Sequence, residues 1–98
     1  DQDKAWVSLE RFFEHSGRGD DFFEYDQQFH SRYADAVRHG GIAMNDAGLA
    51  YLYWSKSGVN EKLIADLRLK VDGDLTRFRE VISLHKRILQ NEEAARPL

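Results

Sequence analysis

The chain has 98 residues, of which 17 are acidic and 14 basic, and it contains no cysteine. This length fits one domain, and the lack of cysteine excludes disulfides, thiolate catalysis and cysteine-based zinc sites. The longest apolar run, Leu49 to Trp54, is too short to cross a bilayer, and no signal-peptide pattern is present, so we predict a soluble protein without membrane contacts. The net charge of −3 argues against a nucleic-acid surface covering the whole domain.

Apolar residues recur at helical spacing along nearly the whole chain, which predicts an all-α fold. We expect one domain over residues 1–98, a compact bundle of about five short helices joined by tight, glycine-marked turns. The first helix is predicted over residues 3–15. Its buried stripe is expected to carry Trp6, Leu9, Phe12 and Phe13.

The remaining helix boundaries follow from glycines and capping residues. Gly17 and Gly19 break the first helix, either Asp20 or Asp21 can cap the second, and the second helix should end near Gly41. The predicted caps of the third, fourth and fifth helices are Asn45, Asn60 and Asp74. The tail over residues 91–98 has no apolar stripe, so we expect it to fray.

The sequence contains no residue pattern that is typical of a catalytic or metal site. The histidines share no metal-ligand spacing, and the serines lack a nucleophile-elbow context. The four histidines are His15, His30, His39 and His85. We therefore predict no enzyme activity, no metal and no cofactor. A DNA-binding helix-turn-helix over residues 60–88 stays a minor alternative, because the last helix carries several basic residues but no dense cluster of them.

The third predicted helix is apolar around its whole circumference between Leu49 and Trp54. A helix of a small bundle normally needs only one apolar face. Either this helix is central, or one side of it meets a partner, and both interpretations stay open. The candidate self-association surface consists of Leu49, Leu52, Tyr53 and Trp54.

Residues 16–29 resemble the major homology region of retroviral and retrotransposon Gag capsid proteins. In that family a Gln-Gly turn is followed, three positions after the glycine, by an acidic residue and then by a helix rich in aromatic residues. The matching positions are Gly17, Asp20, Phe22, Tyr25 and Phe29. Ser16 replaces the family's glutamine, Asp20 its glutamate and Gln28 its later arginine, the polar residues that form a network in family members.

The resemblance implies a capsid C-terminal-domain-like fold, with its core over residues 16–90. Residues 3–15 are then either the opening helix of this domain or the end of a preceding capsid domain. The implied function is structural: self-association into dimers and a higher assembly, a virus-like particle that packages RNA. The implied location is cytoplasmic, in intracellular virus-like particles. The implied partners are copies of the same chain and other Gag domains in cis, with RNA bound only indirectly. The alternative is a domesticated Gag-like adaptor that binds a peptide or protein.

Overall fold

The computed structural model describes residues 2–95, which contain helices and turns but no strand. The helices are α1 (Gln2–Glu14), α2 (Phe22–Gly40), α3 (Asp46–Lys56), α4 (Glu61–Lys70), a 3₁₀ turn (Leu75–Arg77) and α5 (Phe78–Ala95). The predicted all-α bundle of about five short helices is confirmed. Over the same residues, no helix combines the length and apolarity needed to span a membrane.

Most of the predicted caps lie at the helix boundaries that the structure shows. Asn45 and Asn60 cap α3 and α4, each accepting a backbone hydrogen bond of 2.8 Å through its side-chain oxygen. Gly41 follows α2 in the left-handed conformation, with φ of 71°, which costs glycine little. Asp74 caps the 3₁₀ turn instead of α5 itself, so the fifth helix begins later, at Phe78.

The fifth helix is longer than the sequence indicates. We expected a frayed tail from residue 91, but α5 continues to Ala95, so this prediction is wrong up to that residue. Residues 96–98 lie outside the described residues. Good helix formers explain the extra turn, because Glu92, Glu93 and the following alanines need no buried stripe to adopt helical dihedrals.

Helices α1 and α2 pack antiparallel and share one core. The ring of Phe12 lies 5.3 Å from the rings of both Phe29 and Tyr33, measured between centroids. Earlier in α1, Leu9 covers Gly40, where an added Cβ would come within 2.6 Å of the leucine side chain. Because Phe12 is fully buried in this contact, α1 belongs to the same packed unit as α2.

The apolar stripe of α1 is turned away from its predicted position. Phe12 and Ser8 face inward and are buried, whereas Trp6 is 71% exposed and Phe13 is 44% exposed. Ser8 is small, and its hydroxyl donates to the carbonyl of Ala5 at 2.9 Å, so it lets α1 approach α2 closely. The expectation that Trp6 and Phe13 belong to the core stripe is therefore corrected.

One hydrophobic core connects all five helices. Its fully or nearly buried apolar members are Phe12, Tyr25, Phe29, Ala36, Leu49, Ala50, Tyr53, Trp54, Leu67, Val71, Phe78, Val81 and Ile82. The molecule measures 51 × 34 × 18 Å. The shortest dimension leaves room for about two layers of helices, each roughly 10 Å across, so every helix keeps one face in contact with solvent.

We predict that Phe29→Ala lowers the free energy of unfolding by about 3–5 kcal/mol, because Phe29 is 1% exposed and its loss leaves a cavity. Urea unfolding followed by circular dichroism measures this change. The matched control is Phe13→Ala, which removes the same ring from a position that is 44% exposed and should cost much less. Equal losses for the two variants would contradict the position of Phe29 in the core.

Candidate functional site

The bend that precedes α2 is attached to the C-terminal end of α3. The backbone N–H of Gly17 donates to the carbonyl of Lys56 at 2.8 Å, and that of Asp20 donates to the carbonyl of Gly17 at 3.0 Å. A Cβ at position 17 would lie 2.6 Å from the carbonyl oxygen of Ser57 and would also collide with the ring of Tyr25. This position requires glycine because backbone and ring occupy the space of a side chain.

The aromatic positions of the major-homology-like motif lie beneath this bend. Tyr25 and Phe29 are almost completely buried. Phe22 is half-buried, stacks on Trp54 at 5.7 Å and meets the ring of His85 edge-on at 4.4 Å. The structure therefore brings together Gly17 and the three rings that the resemblance singles out.

The polar positions of the motif lie elsewhere. Asp20 is exposed, and the cap of α2 is Asp21, whose Oδ1 accepts from the backbone N–H of Phe23 at 2.7 Å. Gln28 is exposed and lines a groove between α1 and α2. Within residues 2–95, neither Asp20 nor Gln28 forms a side-chain hydrogen bond, so the polar network of the family has no counterpart at these two positions.

A different polar network crosses the core, centred on Asp26. The hydroxyl of Tyr25 donates to the carbonyl of Tyr53 at 2.5 Å, and the hydroxyl of Tyr53 donates to Oδ1 of Asp26 at 2.8 Å. Nζ of Lys86 lies 2.6 Å from Oδ2 of Asp26, and Nε2 of His30 lies 3.0 Å from Oδ1. The network links α2, α3 and α5 through groups that would be costly to bury alone.

Burial and hydrogen bonding set the charge states in this network. Burial alone would raise the pKa of Asp26, but the hydrogen bonds from Lys86 and Tyr53 and the nearby His30 hold that pKa below its ordinary value. Burial, followed by the hydrogen bond to Asp26, raises the pKa of Tyr53, so its hydroxyl stays a donor. Asp26 is therefore an ionised carboxylate whose charge is balanced inside the protein.

Sequence reasoning missed Asp26 although its position was informative. Asp26 follows Phe22 by four residues and precedes Phe29 by three, so it lies on the apolar face of α2. An acidic residue on such a face requires partners. Its contact with Lys86, 60 positions away, comes from tertiary packing and left no local signal.

Three of the four residues predicted as a self-association surface on α3 are core residues. Leu49, Tyr53 and Trp54 are buried, and Leu52 is half-buried. The helix is central because the ring of Tyr53 packs 4.9 Å from that of Phe29 on α2, while α5 covers its other side. The prediction of an exposed patch is corrected for Leu49, Tyr53 and Trp54. The large apolar side chain of α3 that faces solvent is Tyr51, which is 70% exposed.

Two basic residues of the predicted helix-turn-helix segment, residues 60–88, form ion pairs within the domain. Arg77 pairs with Glu80 at 2.8 Å, and Lys86 is held by Asp26. His85 is 3% exposed, and burial lowers its pKa despite the opposing charge of Glu92.

The other lysines and arginines of that segment are exposed and form no ion pair among the described residues; they are Lys62, Arg68, Lys70, Arg79 and Arg87. Over the same residues, no group of three or more histidine, aspartate or glutamate side chains is arranged to hold a metal ion.

Comparisons with protein-family models, with curated proteins and with solved structures find no match to this chain. The resemblance to the Gag major homology region therefore depends on residues 16–29 of the sequence. The membership that it implies stays a prediction.

We predict that Gly17→Ala destabilises the domain by about 1–3 kcal/mol, because the new methyl group overlaps the carbonyl of Ser57 and the ring of Tyr25. Thermal or urea unfolding measures the loss. Gly19→Asn is the control, because nothing lies within 4 Å of a Cβ at that position and asparagine tolerates its left-handed backbone. A Gly17→Ala variant as stable as the parent chain would show that the bend is not packed against α3.

We predict that Asp26→Asn costs about 2 kcal/mol of unfolding free energy at pH 7, since it removes charge-assisted hydrogen bonds. The pKa of Asp26 is lower in the folded chain, so its contribution is present above its ordinary pKa of 3.8 and is lost as pH falls. The difference between variant and parent should therefore shrink below about pH 4. Urea unfolding across pH measures it, with the exposed Asp66→Asn as control; a pH-independent difference would contradict the ionised state.

Proposed function

We propose that this domain is a structural self-association module of the Gag capsid C-terminal type, which pairs with copies of itself within a larger shell around RNA. The observation that supports the proposal best is an apolar flank on α1. We define this flank as Trp6 and Phe13, which are 71% and 44% exposed, with the half-buried Leu9 between them. Large aromatic side chains exposed on the same side of a helix are typical of association surfaces.

The spacing within the apolar flank suits a two-fold contact. Trp6 and Phe13 lie two helical turns apart, about 10.5 Å along the axis, on the same side of α1. If two copies of α1 run antiparallel about a point between residues 9 and 10, Trp6 of each copy faces Phe13 of the other. This is the self-complementary arrangement that a symmetric dimer needs.

The size of the apolar flank indicates a weak contact. A buried aromatic side chain contributes roughly 150–250 Å², so the exposed parts of Trp6 and Phe13 amount to about 250 Å² per copy. Stable complexes bury roughly 1,200–2,000 Å² in total. Pairing through this flank should therefore be micromolar or weaker for the isolated domain, which is compatible with a shell held by many repeated contacts.

We predict that Trp6→Ser shifts the self-association equilibrium towards monomer by at least about tenfold in the association constant. Sedimentation equilibrium over a concentration series up to about millimolar measures it. The matched control is Tyr51→Ser, which changes an aromatic residue of nearly equal exposure on α3. A parent chain that stays monomeric throughout would contradict self-association by the isolated domain, and equal shifts in both variants would contradict the role of this flank.

A peptide-binding adaptor is the second candidate function, favoured by an apolar groove between α3 and α4. Tyr51, Ile64, Ala65 and Leu75 line this groove, with Arg68 at its edge. The adaptor function predicts a monomer that recovers one defined partner, and Tyr51→Ser should abolish that recovery while Trp6→Ser leaves it unchanged. The two candidate functions therefore predict opposite effects for Trp6→Ser and Tyr51→Ser, and the same two variants distinguish them.

A further inference from the structure

The antiparallel pair α1–α2 carries a second surface feature, a groove of 570 Å³ with cationic walls. Lys4 and Arg11 contribute from α1, and Arg32 and His39 contribute from α2. On a helix of 3.6 residues per turn, Lys4 and Arg11 share one side of α1, roughly opposite the side that carries Trp6 and Phe13. The groove and the apolar flank are therefore distinct surfaces.

The cations that line this groove form no ion pair with a carboxylate among the described residues. The ion pairs among the described residues involve His30, Arg77, Lys86 and their acidic partners, so Lys4, Arg11 and Arg32 form none there. Asp35 also lines the groove. Among the residues that line the groove itself, three basic groups and this one acid give a charge of +2, in a chain whose net charge is −3, and Glu10 and Glu14 line the adjoining hollow.

Arg32 is held in place at the centre of this surface. Its Nη1 donates to the carbonyl of Arg11 at 3.3 Å, and its buried Nε has no hydrogen-bond partner. Arg11 and Arg32, with Glu10 and Glu14, also line the adjoining hollow that contains His15, whose buried Nδ1 likewise has no partner. Burial and then the charge of Arg32 lower the pKa of His15, so this ring responds to the potential at the site.

We propose that the groove between α1 and α2 binds a ligand with clustered phosphate groups, which Arg32, Arg11 and Lys4 contact directly. A guanidinium donates paired hydrogen bonds to phosphate oxygens, and a lysine adds a point charge. The shared chemistry is a short run of phosphates, supplied either by a free polyphosphate or by a nucleic-acid backbone. This site goes beyond self-association and, in the second case, gives the domain a direct contact with nucleic acid instead of the indirect one that we expected.

The first test is calorimetric titration of the whole chain with tripolyphosphate at low salt. Arg32→Gln and Arg11→Gln should each weaken binding about tenfold, since each removes charge-assisted hydrogen bonds. Arg79→Gln is the matched control, because it removes one exposed, unpaired arginine from α5 and should change affinity less than about twofold. If Arg32→Gln does not fold, the exposed Lys4→Gln replaces it.

The second arm replaces tripolyphosphate by a short single-stranded oligonucleotide over a salt series. Binding of both ligands, with displacement of one by the other, assigns the groove to phosphate groups in general. Binding of the oligonucleotide alone, with the same dependence on Arg11 and Arg32, assigns the groove to a nucleic-acid backbone, and the slope against salt then counts the phosphates.

The titration of the His15 ring distinguishes phosphate bound in this groove from phosphate attracted non-specifically to surface charge. Bound phosphate offsets the charge of Arg32, so the NMR titration midpoint of His15 should rise with ligand in the parent chain and in Arg79→Gln. The proposal is overturned if neither ligand binds at low salt, or if Arg79→Gln loses as much affinity as Arg32→Gln. Because the apolar flank is intact in all these variants, sedimentation tests self-association separately.

Discussion

The fold depends on burying the hydroxyl groups of two tyrosines without leaving either one unsatisfied. Tyr25 and Tyr53 are completely buried and donate in sequence, Tyr25 to the carbonyl of Tyr53, and Tyr53 to Asp26. The charge of Asp26 is in turn balanced by Lys86. A buried polar group without a partner costs more than a hydrogen bond contributes, so the network fixes how α2, α3 and α5 lie relative to one another.

Local signals made most of the element boundaries predictable. Caps such as Asn45 and Asn60 act within three residues of their own position, and Gly41 ends α2 through its own backbone dihedrals. The sequence predicts a helix break at Gly17, but the close approach that requires glycine there was not anticipated, because its partner, the carbonyl of Ser57, is 40 positions away. Such signals fix where helices begin and end.

The rotation of each helix about its own axis, which decides the face that is buried, was harder to predict. It depends on which neighbouring helix packs closest. In α1 the sequence favours burial of Trp6 with Phe12, but the small Ser8 allows a closer contact with α2, and this contact turns Trp6 outward. In α3 the run from Leu49 to Trp54 is apolar on all sides, so nothing local distinguishes core from surface. Packing between α2 and α5 decides the outcome and buries Tyr53.

The consequence for function is that packing against α2 leaves α1 with two unlike surfaces. Its inner side is narrow, since Ser8 and Phe12 alone are buried there, and the larger side chains therefore point away from α2. Trp6 and Phe13 lie on one flank, and Lys4 and Arg11 lie on the other together with the part-exposed Val7. A contact through the apolar flank would not cover the cationic groove, so the proposed assembly contact and the proposed anion site are compatible on one short helix of a thin, 51 Å long molecule.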